Sequence, residues 1–314
     1  MTGPVLITGG AGFLGSHVCE RFLAQGKEVL CLDNFITGAA RNVEHLRDDP
    51  RFTLVEHDIT KPYAAEPAPS LVVHMASPAS PPAYLANPIP TLEVGSVGTI
   101  NALNIARAAN APLLLTSTSE VYGDPEVNPQ PESYRGNVSC TGPRSVYDEA
   151  KRYAEAAVMA YHRSYGLDTK IVRIFNTYGP RLAPGDGRAI PNFVKQALEG
   201  SPITIYGDGS QTRSFCYVDD LVRGILSLAE SDEHDPVNLG NPDERTISEL
   251  AQLILEYTGS SSEIVYRDLP EDDPKVRCPD ITRARQILSW EPQVPLEEGL
   301  PRSIEWYRSE IGAS

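Results

Sequence analysis

Three glycines at fixed spacing, directly after an apolar run, limit this chain more than any other feature. Val5-Leu6-Ile7-Thr8 has the length and character of a strand, and Gly9-Gly10-Ala11-Gly12-Phe13-Leu14-Gly15 comes directly after it. Gly9 permits the tight turn off the strand, Gly12 lets a pyrophosphate approach the backbone, and Gly15 lets the next helix pack closely. The amides opening that helix, reinforced by its dipole, then face the anion. Glycines mark turns everywhere, so the trio takes its meaning from context: it closes a strand and opens a helix.

The rest of the first half agrees with such a turn. Strands are predicted over residues 5–8, 28–32, 53–56, 71–75, 113–117 and 169–174, and helices over 14–24, 90–110 and 147–165. Strand and helix in alternation imply βαβ units, hence an α/β fold with a Rossmann-type, doubly wound parallel sheet. The second strand ends on Asp33, placed to accept from the ribose hydroxyls of an adenosine and to repel a 2′-phosphate, so NAD is favoured over NADP. Asp58, after the third strand, is an adenine contact or equally a helix cap. After Phe175 proline, glycine and isolated arginines become frequent, as in Tyr178-Gly179-Pro180-Arg181 and Gly185-Asp186-Gly187-Arg188. Long loops of this kind ordinarily bind something. The expected division is therefore 1–175 for the dinucleotide and 176–314 for a smaller substrate-binding lobe, with segments around residues 214–229 returning to the first domain.

Tyr147-Asp148-Glu149-Ala150-Lys151 sets a phenol and an ammonium on one helical face. A free phenol, with a pKa of about 10, is a poor base at neutral pH, and a nearby cation lowers that value. Lys151 can also hold a nicotinamide ribose. The pattern recurs by chance, but Thr116-Ser117-Thr118-Ser119-Glu120 closes the preceding strand and points hydroxyls at the same place. A formal net charge of −15 argues against a nucleic-acid partner, though not against a nucleotide ligand. The apolar runs are too short to cross a bilayer. The first strand begins close to Met1, leaving no room for a secretory signal, and a cytoplasmic setting is expected. Five cysteines form neither CxxC pairs nor an even framework, pointing to free thiols instead of disulfides or zinc, with no metal expected.

With these residues in view, the chain resembles the extended short-chain dehydrogenase/reductases, and among them the UDP-glucuronate decarboxylases. The resemblance spans nearly the whole sequence, through residues 9–17, 33–38, 58, 74–82, 116–126, 147–151, 173–181, 206–213, 237–242 and 272–280. The glycine and Tyr-x-x-x-Lys motifs identify only the superfamily. Ser-Thr-Ser-Glu-Val-Tyr-Gly-Asp-Pro-Glu and Asp-Asp-Pro-Lys-Val-Arg-Cys-Pro-Asp are far more specific. The resemblance implies NAD contacts from Gly9, Gly12, Phe13, Leu14, Gly15, Asp33, Asn34, Phe35, Thr37, Gly38, Asp58, Ile59, Met75 and Ser77, together with Tyr147 and Lys151. It implies that Thr118 bonds the reacting hydroxyl, Tyr147 is the base, Ser119 and Glu120 sit near the sugar carboxylate and C5, and Arg277 binds that carboxylate. Asn176, Arg181, Asn192, Arg213 and Arg277 would contact the diphosphate-sugar, while Tyr206 and Gln211 would line the uridine pocket.

The implied reaction is NAD-dependent decarboxylation of UDP-glucuronate to UDP-xylose through a 4-keto sugar. A 4-epimerase has no need of the extra acid at Glu120, and a 4,6-dehydratase carries an Asp-Glu pair where this chain has Ser119-Glu120. A non-catalytic dinucleotide-binding regulator is the reading from a different class. The sequence departs from the family at Glu93, commonly Lys, at Gly95, commonly Asn, and modestly at Cys140-Thr141-Gly142-Pro143-Arg144. A homodimer is expected from helices 90–110 and 147–165, whose Leu103, Ala106, Ala154, Ala157 and Met159 exceed a single core-facing stripe.

Overall fold

The structure, a computed structural model, describes residues 3–268 and 276–312. The chain runs β1 (Val5–Thr8), α1 (Phe13–Ala24), β2 (Val29–Asp33), β3 (Phe52–Glu56), β4 (Leu71–His74), α2 (Pro81–Ala86), α3 (Pro88–Glu93), α4 (Thr99–Ala109) and β5 (Leu113–Thr118). It continues through α5 (Ser145–Tyr165), β6 (Thr169–Ile174), β7 (Thr177–Tyr178), α6 (Ala189–Leu198), β8 (Ile203–Tyr206), β9 (Thr212–Ser214), β10 (Cys216–Tyr217) and α7 (Val218–Ala229). The remainder is β11 (Val237–Leu239), β12 (Glu244–Thr246), α8 (Ile247–Thr258), β13 (Ile264–Arg267), α9 (Thr282–Leu288) and α10 (Leu296–Gly312). Asp272–Lys275 of the specific motif at 272–280 lies outside the described residues.

Seven parallel strands form one sheet in the order β11-β6-β5-β4-β1-β2-β3. The order reverses between β1 and β4, and ligands of such sheets bind at that switch point, beyond the carboxyl ends of the strands. Period-two alternation divides the core. Val5, Ile7, Val73 and Leu114 point to one face with Val18, Phe22, Leu221 and Ile225. Leu6, Val72, Leu113 and Leu115 point to the other, against Leu103, Ala106, Ala154 and Val158. Central strands buried on both faces read as continuous apolar runs, which is why they were legible.

Two features were not read from sequence. The seventh strand, β11, is three residues long and comes after Phe175, pairing with β6 at the sheet edge. The helix expected over 90–110 is interrupted by a wide, π-type turn at Val94–Gly98. Within it Ser96 Oγ donates to the Leu92 carbonyl at 2.6 Å and Thr99 Oγ1 to that of Gly95 at 2.8 Å. Hydroxyls bonding back four residues and two glycines together loosen the helical ladder. A Cβ at Gly95 would meet that of Ala150 at 2.5 Å, so the glycine lets α5 pack closely here. Leu103, Ala106 and Ala154 are not surplus to a core-facing stripe, as expected for a dimer face, but are buried in this chain's own core. The outward apolar residues on this side are Ile89, Leu92, Val97 and Tyr153.

The carboxyl-terminal part is tied to α7 by one fully buried acid. Asp220 Oδ2 accepts from the amides of Gln293 and Val294 at 2.8 and 2.7 Å, and its own carbonyl accepts from Trp290 Nε1 at 2.9 Å. Replacing it leaves two partly buried amides without their acceptor, each costing about 1–2 kcal/mol. Asp220→Ala is therefore expected to lower the urea midpoint by the equivalent of about 2–4 kcal/mol with the m-value unchanged, while Asp220→Asn, which keeps one acceptor oxygen, loses less.

Candidate active site

A cleft of about 980 Å³ runs across the carboxyl ends of the strands. Its floor is the β1–α1 turn. Gly9 has φ +70°, and a Cβ there would lie 2.8 Å from the backbone of Ala76. A Cβ at Gly15 would collide with the Gly9 carbonyl. Gly12 precedes α1, and no side chain caps that helix, so its opening amides face the cleft beside Phe13 and Leu14. Asp33 accepts from the amides of Ala11 and Phe35 at 2.9 and 2.8 Å. Burial pushes its carboxyl above the usual carboxylate range, and those two hydrogen bonds oppose the shift. Gly38 gives the closing loop room, since a Cβ there would lie 2.7 Å from Asp33 Oδ1.

Asn34, Thr37, Asp58, Ile59, Met75 and Ser77 line the same cleft. Asp58 Oδ1 accepts from the Thr60 amide at 2.9 Å, a turn contact. Phe35 departs from the expectation. Its φ of +57° turns the ring to a shallow surface groove with Arg47 and Phe52, and only its amide serves the site, through Asp33. The donor set, an open helix start and an acid at the end of β2, fits NAD.

The middle of the cleft holds Thr118 at the end of β5, with Tyr147 and Lys151 in the first two turns of α5, all three buried. The Tyr147 ring stacks on that of Tyr84 at 5.2 Å and its hydroxyl bonds the Thr118 side chain. Lys151 Nζ donates to the Thr116 carbonyl at 2.8 Å and stands 5.8 Å from the Tyr147 ring centroid. The expected lowering of the phenol by Lys151 is not what this arrangement gives. Burial drives the phenol well above its usual value, Glu120 and Asp148 add to it, and Thr118 and Arg188 oppose it. Lys151 is itself pulled down to about 8 by burial, with Glu155 acting in the other direction.

Beyond Tyr147 the site is ionic. Arg277 is 3% exposed; its Nη1 bonds Glu120 and Ser119 Oγ, the latter at 3.1 Å, and its Nη2 bonds the Gly123 carbonyl at 3.2 Å. Arg144 Nη2 reaches the other Glu120 oxygen at 2.6 Å. Burial would raise Glu120, but the two guanidiniums hold it at about 2. Arg277 is delivered by backbone pairing with Gln130, whose amide donates to the Cys278 carbonyl at 2.8 Å and whose Oε1 accepts from the Cys278 amide at 2.9 Å.

At the far end stand Asn176, Arg181, Asn192, Tyr206, Gln211 and Arg213, with the partly exposed Arg188 among them. Arg181 is the exception in direction. Its backbone has φ +69°, and its guanidinium bonds Glu20 at 2.6 Å, His17 Nδ1 at 2.8 Å and the Asn42 carbonyl at 3.3 Å. It fastens the substrate side to α1 instead of reaching out as a free cation. Sequence reasoning gave no role to Arg144, Asp148, Arg188 or Gln130. Arg144 lies in Gly142-Pro143-Arg144, Arg188 in the glycine-rich 185–188 loop and Asp148 inside the Tyr-x-x-x-Lys motif, whereas Gln130 carries no local pattern. Glu93 does line the cleft, at the exposed end of α3.

The sequence pattern of the NAD dependent epimerase/dehydratase family matches residues 5–240. UDP-glucuronic acid decarboxylase 1 of Danio rerio is 51% identical over 307 residues, covering 98% of this chain and 73% of that protein. UDP-glucuronic acid decarboxylase 5 of Arabidopsis thaliana is 48% identical over 309 residues, covering 98% and 90%. Among solved structures, UDP-glucose 4-epimerase of Thermotoga maritima with UDP-glucose superposes with a TM-score of 0.88 at 30% identity, covering 98% of this chain and 99% of that one. The dTDP-glucose 4,6-dehydratase DesIV of Streptomyces venezuelae, with NAD bound, gives 0.89 at 29%, covering 99% and 98%.

Asp33 leads to a direct measurement. Calorimetry should find NAD⁺ bound more tightly than NADP⁺ by about tenfold or more, equivalent to about 1.4 kcal/mol. Asp33→Ser should narrow that gap, and a reversed preference would refute the role of Asp33.

Proposed function

This chain belongs to the NAD dependent epimerase/dehydratase family, and from that membership we propose that it converts UDP-glucuronate to UDP-xylose with loss of CO₂. The single observation that carries the reading is a buried guanidinium, Arg277, held beside Ser119 and Glu120 in the same cleft as Tyr147 and Thr118. An arginine fork there suits a uronate carboxylate.

When bound, NAD supplies reversible two-electron oxidation at C4, which makes the sugar a transient 4-keto uronate. Gly9, Gly12 and Gly15 would hold its pyrophosphate, Asp33 its adenosine ribose and Lys151 its nicotinamide ribose. The positive charge of the oxidised nicotinamide would counter the burial that raises the phenol, and Tyr147, hydrogen-bonded to Thr118, would then take the C4 hydroxyl proton and later return it. In a β-keto acid the carboxylate can leave as CO₂, with its electrons delocalised into the ketone. Thr118 and Tyr147 then face the enolate oxygen as donors. A proton from solvent then restores C5, and re-reduction of the C4 ketone closes the cycle. Arg277 and Ser119 orient the carboxylate before it departs.

Ser119 favours decarboxylation over dehydration. Elimination of water across C5–C6 calls for a base at C5 and an acid at C6; Glu120, kept ionised by two arginines, could serve only as the base, and Ser119 stands where the dehydratases' Asp would supply the acid. The epimerase and dehydratase likenesses establish the fold, which hosts all three chemistries.

The finer assignments are likewise proposals. Residues 1–175 would chiefly hold NAD and 176–314 chiefly the UDP-sugar. A homodimer is supported by the outward Ile89 and Leu92 of α3, Val97 of the π-type turn and Tyr153 of α5. Among the described residues no helix is long and apolar enough to cross a membrane. The acidic net charge of −15 supports a role away from nucleic acid, and the cysteine pattern supports a reducing, cytoplasmic setting.

Incubation with UDP-glucuronate and mass spectrometry should show loss of CO₂, and an unchanged substrate mass would sink the reading. Tyr147→Phe should give neither product nor NADH absorbance. Arg277→Ala should weaken UDP-glucuronate by about 2–5 kcal/mol while UDP-glucose gains relative to it. Equal weakening of both sugars would make Arg277 a diphosphate ligand. Light scattering at micromolar concentration should give twice the chain mass; a monomer there, or a dimer unmoved by Leu92→Glu, would count against the proposed face.

A further inference from the structure

Asp148 is a buried acid that the mechanism leaves without a task. It lies in the first turn of α5, directly after Tyr147, is 5% exposed, and its Oδ1 is buried with no hydrogen-bond partner among the described residues. An acid in a first helical turn is ordinarily there to complement exposed amides. A buried carboxylate oxygen that receives no donor does not do that, and its ionised form is penalised.

The charged groups that face it come from several segments. Glu120 comes from the turn after β5, Arg144 from the loop before α5, Arg277 from the segment after β13, and Glu149 from its own helix; the Tyr147 phenol is adjacent. The two cations are both already bonded to Glu120. Among these described groups at the cleft, Glu120, Arg144 and Arg277 sum to one positive charge when Asp148 is neutral and to zero when it is ionised. A substrate carboxylate arriving at Arg277 brings one negative charge. With Asp148 neutral the cluster ends balanced; with Asp148 ionised, two buried carboxylates and the substrate's would share two arginines.

We propose that Asp148 is a proton-linked specificity residue: capture of the uronate carboxylate at Arg277 is coupled to uptake of one proton from solvent by the Asp148 carboxylate. No bond in the sugar changes in this step. The inference rests on the decarboxylase reading, because only an acidic sugar supplies the charge. Its electrostatics agree: burial first, then Glu120, push Asp148 up to about 7, against the pull of Arg144 and Arg277. An added negative charge raises it further. Proton uptake therefore falls between the free and bound values, at and above neutral pH.

Calorimetry on the NAD-loaded Tyr147→Phe enzyme, which binds without turnover, measures it in buffers of differing ionisation heat. At about pH 8, UDP-glucuronate should take up close to one proton and UDP-glucose none. Adding Asp148→Asn, or Asp148→Ser as a second neutral variant, should abolish the uptake, with NAD⁺ affinity reporting that each variant is folded. In turnover, the KM for UDP-glucuronate should rise above neutral pH, by up to about tenfold per unit, and stay flatter in Asp148→Asn. The same uptake in parent and variant, or with both sugars, would overturn the proposal. Loss of CO₂ from the wild-type reaction tests the underlying reading separately.

Discussion

Arg173 and Glu155 form the buried ion pair on which the site's geometry depends. Arg173 Nε and Nη2 meet the two Glu155 oxygens at 2.9 and 2.7 Å, and Ser117 Oγ donates to Glu155 at 2.6 Å. The remaining arginine nitrogen donates to the Tyr122 hydroxyl at 2.9 Å and the Glu132 carbonyl at 3.0 Å. Tyr122 in turn bonds Asn238 of β11 at 2.8 Å. Four elements are thereby fixed to one another: β5, which ends on Thr118; α5, which carries Tyr147 and Lys151; β6; and β11. Breaking one partner of such a pair costs about 3–5 kcal/mol, since the other charge stays buried. Glu155 lies one turn beyond Lys151 and is the charge that opposes its neutralisation by burial. The same contact that holds the helix thus favours the charge of its catalytic lysine.

Most arginines of the cleft are engaged by the protein before any ligand is considered. Arg144 and Arg277 meet on Glu120, Arg181 is bonded to α1, and Arg188 pairs with Asp186 at 2.5 and 2.8 Å. An anionic ligand entering here must share those cations, so buried acids set the selectivity as much as the arginines do. Linkage makes the two neighbouring acids act in opposite senses. Glu120, held at about 2, adds stability above the usual carboxylate range that is lost as pH falls through its folded value. Asp148, raised to about 7, adds stability at low pH that is lost as pH rises through that value.

Much of this was legible because it is local. Gly9, Gly12 and Gly15, Asp33 at a strand end, and Tyr147 four residues before Lys151 are each fixed by spacing along one element, and the structure brings them to one cleft. Three kinds of information were not local. Gln130 and Cys278 pair across a long stretch of chain, so nothing near Arg277 announces what delivers it. The direction of a side chain was also hidden: Phe35 and Arg181 occupy expected segments but turn away through positive φ. Electrostatic neighbourhood was hidden too. The Tyr-x-x-x-Lys spacing suggested a lysine acting on the phenol, whereas the fold aims the ammonium at the Thr116 carbonyl.

A fold shared by epimerases, dehydratases and decarboxylases separates its chemistries by the groups that stand beyond the common phenol. On the proposed reading, oxidation at C4 would use Tyr147, Thr118 and Lys151, which β5 and α5 carry, together with NAD. The fate of the ketone depends on Ser119 and Glu120, on a turn rigidly continuous with β5, and on Arg277, from a segment fastened by Gln130. An arginine brought there can hold a carboxylate in place through the oxidation, when its loss becomes favourable. On the proposed reading, chemistry in this chain would be divided between a strand–helix pair, β5 and α5, that makes the ketone and an arginine from another segment that selects the sugar.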